Sequence, residues 1–295
     1  MANLANDYGY GQLSRYWICE LSSPLYYHKE AFASDKEPLG AIAGHEVEII
    51  LNIERPYPLL LGITAYSESP KSRKPLKIHI KELLDLGVIR KFGHNEEVEV
   101  TTPVTVAWKN GKSRMVGDFR ALNTYTIPDR YPIPKIQISL MEISQEVYIR
   151  TMDALKGFHQ NVVTLRERKY LRTILHCGLY EYLRIPFDIK NAPSHFQIMM
   201  NEIIPEDLSE AWLIIYLDDI IFCSKTWEEH IYRLSRVLTK IQCVKMKVIL
   251  KKFHFEFKEL KALGHVVSGL SLGIYKNKVA QVLLKNMPQN KKEIW

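Results

Sequence analysis

The sequence predicts a mixed α/β (α+β) fold in which an antiparallel sheet is backed by helices. Short runs of apolar and β-branched residues are separated by turn residues, as in β-hairpins, while other segments repeat apolar residues every three or four positions, as in amphipathic helices. Apolar residues make up 46% of the 295 residues, so the chain can bury a substantial core.

The amino-terminal quarter carries few periodic signals. Residues 1–54 are interpreted as a weakly ordered leader, within which 47–53 alternates enough to predict a short strand. The Pro- and Ser-containing segment 55–75 predicts an extended linker. From Leu76, apolar residues recur at helical spacing, and Gly87 predicts the end of that helix.

The chain then predicts a β-hairpin followed by a loop. Residues 101–108 and 114–119 carry the strand signals, and Asn110-Gly111 between them is a strong turn pair because both residue types tolerate positive φ. Three prolines punctuate the residues that follow, so 123–134 is interpreted as a loop.

The second half predicts strands interrupted by two helices. Strands are expected at 146–152, 170–175, 180–185, 213–216, 220–224, 247–257 and 263–268. A helix is expected from about Asn191, because Pro193 suits a first helical turn, and another over 228–242.

Composition and charge narrow the classes of function. The net charge is +7, and residues 225–262 hold ten Lys or Arg against four Glu, which suits a polyanionic partner or a solvated basic surface. The four cysteines form no C-x-x-C pair and no zinc spacing, so a reducing, intracellular setting is expected. We recognise no signal peptide and no apolar run long enough to span a bilayer, so membrane association is not expected.

Three aspartates stand out against apolar surroundings. Asp218 and Asp219 lie in the middle of the apolar stretch 212–223, at the expected turn of a hairpin. Adjacent carboxylates held against an apolar sheet repel each other and lose hydration, which is costly unless a cation compensates. Asp153 ends another predicted strand, so strand pairing would bring three carboxylates to one edge.

Such a carboxylate set is a hard oxygen site suited to Mg²⁺, with Mn²⁺ as an alternative. Two such ions could support in-line phosphoryl transfer, one activating a primer 3′-hydroxyl and the other steadying a triphosphate and its leaving pyrophosphate. The structural alternative is a solvated turn, since Asp is common in turns.

The motifs around these aspartates resemble those of one family. Tyr216-Leu217-Asp218-Asp219 is similar to the Tyr-x-Asp-Asp signature of reverse transcriptases. Other blocks resemble the fingers, first catalytic, Pro-Phe and primer-grip segments of Ty3/gypsy-type LTR retrotransposons, in that order: 114–123 with 131–134, 152–160, 178–181 with 186–197, and 263–268. The resemblance runs from about Arg55 to Lys292.

The resemblance implies a right-hand polymerase fold with fingers and palm, whose antiparallel palm sheet is backed by helices. It places the reverse transcriptase fingers and palm over 55–268 and the truncated start of a connection region over 269–295, within a fragment of a longer Pol polyprotein. The implied activity is RNA-directed DNA polymerase. The implied partners are an RNA or DNA template with a primer and deoxynucleoside triphosphates, in a cytoplasmic particle or the nucleus, with the oligomeric state left open.

Residue roles follow from the resemblance by position. Asp153, Asp218 and Asp219 would be the catalytic residues and metal ligands. The nucleotide-binding residues would be Lys109, Arg114, Phe158, Gln197 and Tyr216, the primer grip would comprise Leu263, Gly264 and His265, and Lys251 or Lys252 would lie on the pyrophosphate side. Phe158 would face the incoming sugar and discriminate against a 2′-hydroxyl. Taken singly, Gln197 would be an ordinary helix-surface glutamine.

The sequence departs from the family pattern at two notable positions. Asp188 stands where Gly usually follows the Phe of the Pro-Phe block, and Tyr275 stands where Asp is usual. A carboxylate at position 188 would repel an incoming triphosphate, which predicts a weak or inactive polymerase.

Two hypotheses of different classes therefore stand. The intact set of aspartates favours an active polymerase domain, whereas Asp188 and the truncation favour a relic that binds nucleic acid without turnover. Another palm-type nucleotidyl transferase or cyclase is disfavoured by the fingers block and by Asn191-Ala192-Pro193 within the Pro-Phe block.

Overall fold

The computed structural model describes residues 15–93, 98–134, 148–204 and 212–250, together with the backbone of four strands between 254 and 274. Its helices are α1 (Arg15–Tyr27), α2 (Pro70–Asp85), α3 (Arg120–Tyr125), α4 (Gly157–Gln160), α5 (Ala192–Ile203) and α6 (Trp227–Cys243). Its strands are β1 (Ile42–Val47), β2 (Ile89–Lys91), β3 (Thr102–Lys109), β4 (Lys112–Gly117), β5 (Tyr148–Asp153), β6 (Asn161–Val163), β7 (Arg172–Leu175), β8 (Gly178–Tyr182), β9 (Leu213–Tyr216), β10 (Asp219–Ser224), β11 (His254–Phe257), β12 (Glu259–Ala262), β13 (His265–Ser268) and β14 (Ser271–Ile274). Single 3₁₀ turns lie at Lys29–Ala31, Leu59–Leu61 and Arg168–Tyr170.

A four-stranded antiparallel sheet, here called the central sheet, has the order β11-β5-β10-β9. Met152 of β5 and Ile220 of β10 are directly opposite each other, and neither is exposed to solvent. They share a hydrophobic core with Phe196 of α5 and Leu234 of α6. The expected antiparallel sheet backed by helices is therefore confirmed.

Helix α6 shows why the local sequence folds as it does. The Thr226 side chain accepts a hydrogen bond from the backbone N–H of Glu229, at 3.2 Å, and so caps the first turn. One face of the helix is then buried at helical spacing, through residues His230, Leu234, Val237, Leu238 and Ile241. This packing supplies most of what keeps a surface helix folded.

A second, five-stranded sheet, here called the outer sheet, has the order β2-β8-β7-β3-β4. Its β3–β4 hairpin turns at Asn110 and Gly111, whose φ values of 50° and 74° are those of the primed turns that suit hairpins. Helix α2 packs against this sheet through buried Leu76 and Ile80, in a second hydrophobic core. The half-buried side chain of Phe158, on α4, packs against both cores.

The interpretation of residues 1–54 as a weakly ordered leader is wrong for its described part. Helix α1, a 3₁₀ turn and β1 occupy this segment, and Leu21 and Ile42 are buried in the same core as the central sheet. His28 anchors it through hydrogen bonds to Ser235, at 2.9 Å, and Gln242, at 3.1 Å. The partners lie on α6, so local periodicity could not reveal them. Residues 1–14 lie outside the described residues.

Most other elements agree with the sequence predictions, with shifted ends. The hairpins at β3–β4 and β9–β10 and the helices α2, α5 and α6 are confirmed. Helix α2 begins earlier than expected, at Pro70, because proline fits a first helical turn, and the predicted loop 123–134 begins inside the short helix α3. The strand expected at 47–53 lies at Ile42–Val47 instead.

Candidate active site

The pairing of two central strands brings the predicted aspartates to one edge of the sheet. Strands β5 and β10 are antiparallel, with Asp153 directly opposite Asp219, so the two side chains project from the same face. Asp218 lies in the turn before β10, where its carbonyl oxygen accepts the N–H of Ala154 at 2.9 Å. All three aspartates are half-buried. The turn is thereby fastened to the end of β5.

That turn has an unusual backbone. Leu217 has a φ of 50°, in the left-handed region that a branched side chain rarely adopts and that costs about 1–3 kcal/mol. Glycine is usual where a two-residue hairpin turn needs positive φ. Gln197, which is fully buried, accepts the Leu217 N–H at 3.0 Å and donates to the Ile215 carbonyl at 3.0 Å.

A glycine makes room for one of the carboxylates. A Cβ placed at Gly157 would lie 2.1 Å from Oδ1 of Asp218 and 3.0 Å from the Phe196 ring. The Asp218 carboxylate therefore occupies the space that any side chain at position 157 would need. Sequence analysis missed this role, although the glycine stands within the first catalytic block.

Asp153 and Asp218 line a cleft of about 590 Å³ between the central and outer sheets. Its charged and titratable lining residues are Asp153, Asp218, Asp188, Glu82, Arg114, Lys156, His79, His159 and Tyr182. Arg114 reaches the cleft from β4. Lys156, which the sequence did not single out, donates to Glu82 of α2 and so links the ends of β5 and α2 across the cleft.

Several titratable groups of the cleft have shifted pKa values, and burial raises that of Tyr182. The hydrogen bond from Lys156 lowers the pKa of Glu82, which favours the charged carboxylate. Burial lowers the pKa of His159 to about 4, and its Nδ1 hydrogen-bonds the Ile185 carbonyl at 2.9 Å. His159 is therefore neutral near pH 7, and the positive charges of the cleft lining come from Arg114 and Lys156.

Asp188 lies in the same cleft, with its side chain exposed. Its φ is 69°, in the left-handed region where glycine is favoured, which gives a physical reason for the usual Gly at this position. Asn123 holds this backbone, donating to the Asp188 carbonyl at 2.8 Å and accepting the Lys190 N–H at 2.9 Å.

The other residues predicted to bind the nucleotide lie in three different environments. Phe158 packs edge-on between Phe187 and Phe196, at ring-centroid distances of 5.9 and 5.6 Å. Tyr216 is half-buried at the end of β9, opposite Asp219. Lys109 is exposed at the distal end of the β3–β4 hairpin, outside the cleft lining.

Gln197 is fully buried, and several predicted positions fall outside the described structure. The alternative of an ordinary helix-surface glutamine is therefore wrong, whereas the predicted contact of Gln197 with the nucleotide stays a prediction. In the predicted primer grip, Leu263 and Gly264 lie outside the described residues, and His265 is described only as the first backbone position of β13. Lys251 and Lys252 also lie outside the described residues.

The donor chemistry of the site suits a divalent ion. Three carboxylates at one sheet edge provide hard oxygen ligands, and Gly157 leaves space for one of them. As the side chains are placed, no group of three or more His, Cys, Asp or Glu in the described part of the chain forms a metal site. The strand pairing therefore brings the three candidate ligands to one edge of the sheet, but their side chains do not converge on a common metal position.

Within the described residues, none of the helices has the length and apolar character needed to cross a bilayer.

Comparison with known proteins identifies a family. The profile described as reverse transcriptase (RNA-dependent DNA polymerase) matches residues 103–267, more than half of the chain. The chain is 37% identical over 219 residues to the retrovirus-related Pol polyprotein from transposon 297 of Drosophila melanogaster, covering 73% of this chain and 20% of that protein. It is 29% identical over 255 residues to the transposon Tf2-3 polyprotein of Schizosaccharomyces pombe, covering 86% of this chain and 18% of that protein. The chain thus spans about a fifth of these curated relatives.

Solved structures show the same fold. The foamy viral protease-reverse transcriptase in complex with dsDNA matches with a TM-score of 0.84 and 20% identity, over 99% of this chain and 60% of that one. The same viral enzyme in complex with an RNA/DNA hybrid matches with a TM-score of 0.81 and 20% identity, over 96% of this chain and 37% of that one. These matches confirm the predicted polymerase fold, and the Pol relatives confirm the resemblance to Ty3/gypsy-type retrotransposons.

Proposed function

This chain belongs to the reverse transcriptase (RNA-dependent DNA polymerase) family, and from that premise we propose that it transfers nucleotides onto a primer 3′-hydroxyl under the direction of a template. The observation that carries the proposal is the pairing of β5 with β10, which sets Asp153 opposite Asp219 beside Asp218 in an open cleft. The chemistry is nucleotidyl transfer from a deoxynucleoside triphosphate with release of pyrophosphate.

Asp153, Asp218 and Asp219 would hold two divalent ions, Mg²⁺ or alternatively Mn²⁺. When bound, such ions favour the ionised primer hydroxyl and offset charge on the transferred phosphoryl and leaving groups. The contribution of this chain is to keep three carboxylates at one edge on a sheet whose core is fully buried. A rigid scaffold of this kind limits the reorganisation needed when substrate binds.

Arg114 and Lys156 would receive the triphosphate. Both line the cleft that contains Asp153 and Asp218, and a guanidinium fork and an ammonium suit phosphate oxygens. Lys156 donates to Glu82, so triphosphate binding would exchange a carboxylate for a phosphate partner. Lys109, at the far end of the hairpin, would approach the nucleotide only if the hairpin bends toward the cleft.

Phe158 would set the choice of sugar. It lies five residues after Asp153, where its ring is held edge-on by Phe187 and Phe196. A ring fixed on both sides cannot move aside easily for an extra hydroxyl, so a ribonucleotide would be rejected by contact. Tyr216 would support the same end of the site from β9.

The proposed macromolecular partner is an RNA or DNA template annealed to a primer. Two observations support it: residues 225–262 carry a net charge of +6 from ten basic and four acidic residues, and the related foamy viral enzyme binds dsDNA and RNA/DNA hybrid. Basic side chains can follow a phosphate backbone without reading sequence. We place this activity in an intracellular particle or the nucleus, within a longer Pol polyprotein.

The domain arrangement proposed from the sequence changes at its amino-terminal side. Fingers and palm over 55–268 and a connection segment over 269–295 remain the proposal. Because α1 and β1 are built into the central core, we extend the folded unit back to at least Arg15. Leu263, Gly264 and His265 remain the proposed primer grip.

A second candidate function is nucleic-acid binding without turnover. Asp188 favours it, since its exposed carboxylate shares the cleft with Asp153 and Asp218 and would repel a triphosphate. Turnover separates the two candidates, because both predict binding to a primer–template.

Primer extension tests the proposal. The chain is mixed with poly(rA) annealed to oligo(dT), dTTP and either Mg²⁺ or Mn²⁺, beside Asp218→Asn as a matched variant of similar shape. Extension by the natural chain that is lost in the variant supports the polymerase. Tight binding of the primer–template without extension by either protein supports the second candidate.

A further inference from the structure

The catalytic turn is held by a buried side chain that the family pattern assigns to the nucleotide. Gln197 has no solvent exposure, and both ends of its amide are hydrogen-bonded within the protein. Its Oε1 accepts the Leu217 N–H at 3.0 Å, and its Nε2 donates to the Ile215 carbonyl at 3.0 Å. The Gln197 amide therefore hydrogen-bonds the backbone of the residues on either side of Tyr216, in the segment that leads directly into Asp218.

These contacts fall where the backbone most needs support. Leu217 has a φ of 50°, which a residue with a branched side chain does not adopt unless its surroundings impose it. The backbone N–H that Gln197 accepts belongs to this same residue. Loss of that bond would free the turn to relax and would carry Asp218 away from the end of β5.

The support extends outward from Gln197. Its Nε2 also donates to Oδ1 of Asn201, four residues later on the same face of α5, at 3.1 Å. The Asn201 Nδ2 in turn donates to the Tyr131 hydroxyl at 2.7 Å. A continuous chain of hydrogen bonds thus connects the catalytic turn to the loop that follows α3.

We propose that Gln197, braced by Asn201, is a positioning residue that fixes the Leu217 turn and so orients Asp218 and Asp219, rather than a residue that contacts the nucleotide. This inference rests on the proposed polymerase function for its catalytic consequence, but not for the contact itself. Residues that orient metal-binding carboxylates without touching substrate typically change activity or metal affinity by about 10- to 100-fold when replaced.

The first experiment measures steady-state primer extension by Gln197→Met, which keeps the side-chain length and removes the amide. We expect kcat to fall about 10- to 100-fold and the Mg²⁺ concentration for half-maximal rate to rise, with the KM for dTTP within about threefold of the natural value. The matched control is Gln242→Met on α6, a helix glutamine that bonds His28 and Glu30 away from the cleft and should leave kcat unchanged. A raised KM for dTTP with unchanged kcat would overturn the proposal, as would unchanged values of both.

A milder variant covers the case in which Gln197→Met fails to fold. Asn201 is exposed and lies farther from the turn along this chain of hydrogen bonds. Asn201→Ala removes the hydrogen bond between Asn201 and Gln197 but leaves the bonds from Gln197 to the turn in place. We expect a fall in kcat of about 3- to 10-fold, again without a rise in the KM for dTTP. A kcat equal to that of the natural chain would remove Asn201 from the proposal.

The second experiment does not need activity. Hydrogen exchange at the Leu217 amide reports directly on the bond to Gln197, and we expect it to accelerate about 10-fold or more in Gln197→Met while α6 is unchanged. Unchanged exchange would overturn the positioning role. If the natural chain extends no primer but this exchange accelerates, the proposed function fails and the structural inference stands.

Discussion

The space left by Gly157 gives a sharp prediction about the catalytic carboxylates. In Gly157→Ala the new Cβ would lie 2.1 Å from Oδ1 of Asp218, about 1.3 Å short of the 3.4 Å at which ordinary contact begins. The Phe196 ring, only 3.0 Å from the same Cβ, leaves little room elsewhere, so the carboxylate must move by about 1 Å. A misplacement of that size costs about 100-fold in rate.

The same substitution should lower the free energy of unfolding by at most about 2.5 kcal/mol. Position 157 begins a short helix and its φ is not positive, so alanine fits the backbone there and gains about 0.4–1 kcal/mol over glycine by restricting the unfolded chain. That gain offsets part of an overpacking cost of about 1–3 kcal/mol. Thermal unfolding and primer extension together therefore separate a local displacement from loss of the fold.

The matched control is Gly62→Ala, far from the aspartates in the sequence. A Cβ at Gly62 would meet its nearest atoms at 3.7 and 3.9 Å, which is ordinary contact. We expect this variant to retain full activity. Primer extension by Gly157→Ala within about threefold of the natural chain would refute the argument that position 157 must lack a side chain for Asp218 to act.

Three further predictions concern residues in and beside the cleft. Asp188→Gly removes a charge that repels the triphosphate by roughly 2.8 kcal/mol at ~6 Å and an effective dielectric of 20. Solvent and Mg²⁺ screening reduce this by about half, so KM for dTTP should fall about 10-fold; an unchanged KM would show that the side chain turns to solvent. Phe158→Ala should raise incorporation of ribonucleotides relative to deoxyribonucleotides by about 10-fold, and an unchanged ratio in an active variant would leave Phe158 with packing alone. The hydrogen bond from Lys156 lowers the pKa of Glu82 in the folded protein. This bond therefore stabilises the fold at pH values above the ordinary carboxyl pKa, and the stabilisation is lost as the pH falls through the lowered pKa of Glu82. The Tm difference between the natural chain and Glu82→Gln should therefore be present at pH 7 and shrink as the pH falls below the ordinary carboxyl pKa, and a difference that stays constant in acid would contradict the ion pair.

Local turn chemistry explains why much of the fold was predictable from the sequence. Asn110-Gly111 specifies a hairpin by its own backbone preferences, and the apolar runs on either side of Asp218-Asp219 specify another. Once β5 was recognised, pairing with β10 brought Asp153 to the same edge. The two hairpins depend on residues close together in the chain, whereas the pairing of β5 with β10 joins distant residues and was expected only from the shared aspartates.

The features that could not be predicted depend on distant partners. His28 is buried through contacts with α6, more than 200 residues away, so the amino-terminal segment lacked any local sign of order. The helical spacing of the sequence is the same whether Gln197 faces solvent or faces the turn at Leu217. Only the packing of α5 on β9 determines that it faces the turn. The pair of Lys156 with Glu82 likewise forms only after the two sheets come together.

The central claim is that Asp153, Asp218 and Asp219 act as one divalent-ion site. The most direct measurement is a crystal structure of the chain with primer–template, an incoming deoxynucleoside triphosphate and Mg²⁺. We expect two ions about 3.5–4 Å apart, contacted by these three carboxylates and by the triphosphate. Ions bound elsewhere, or Asp153 turned to the opposite face of the sheet from Asp218, would contradict it.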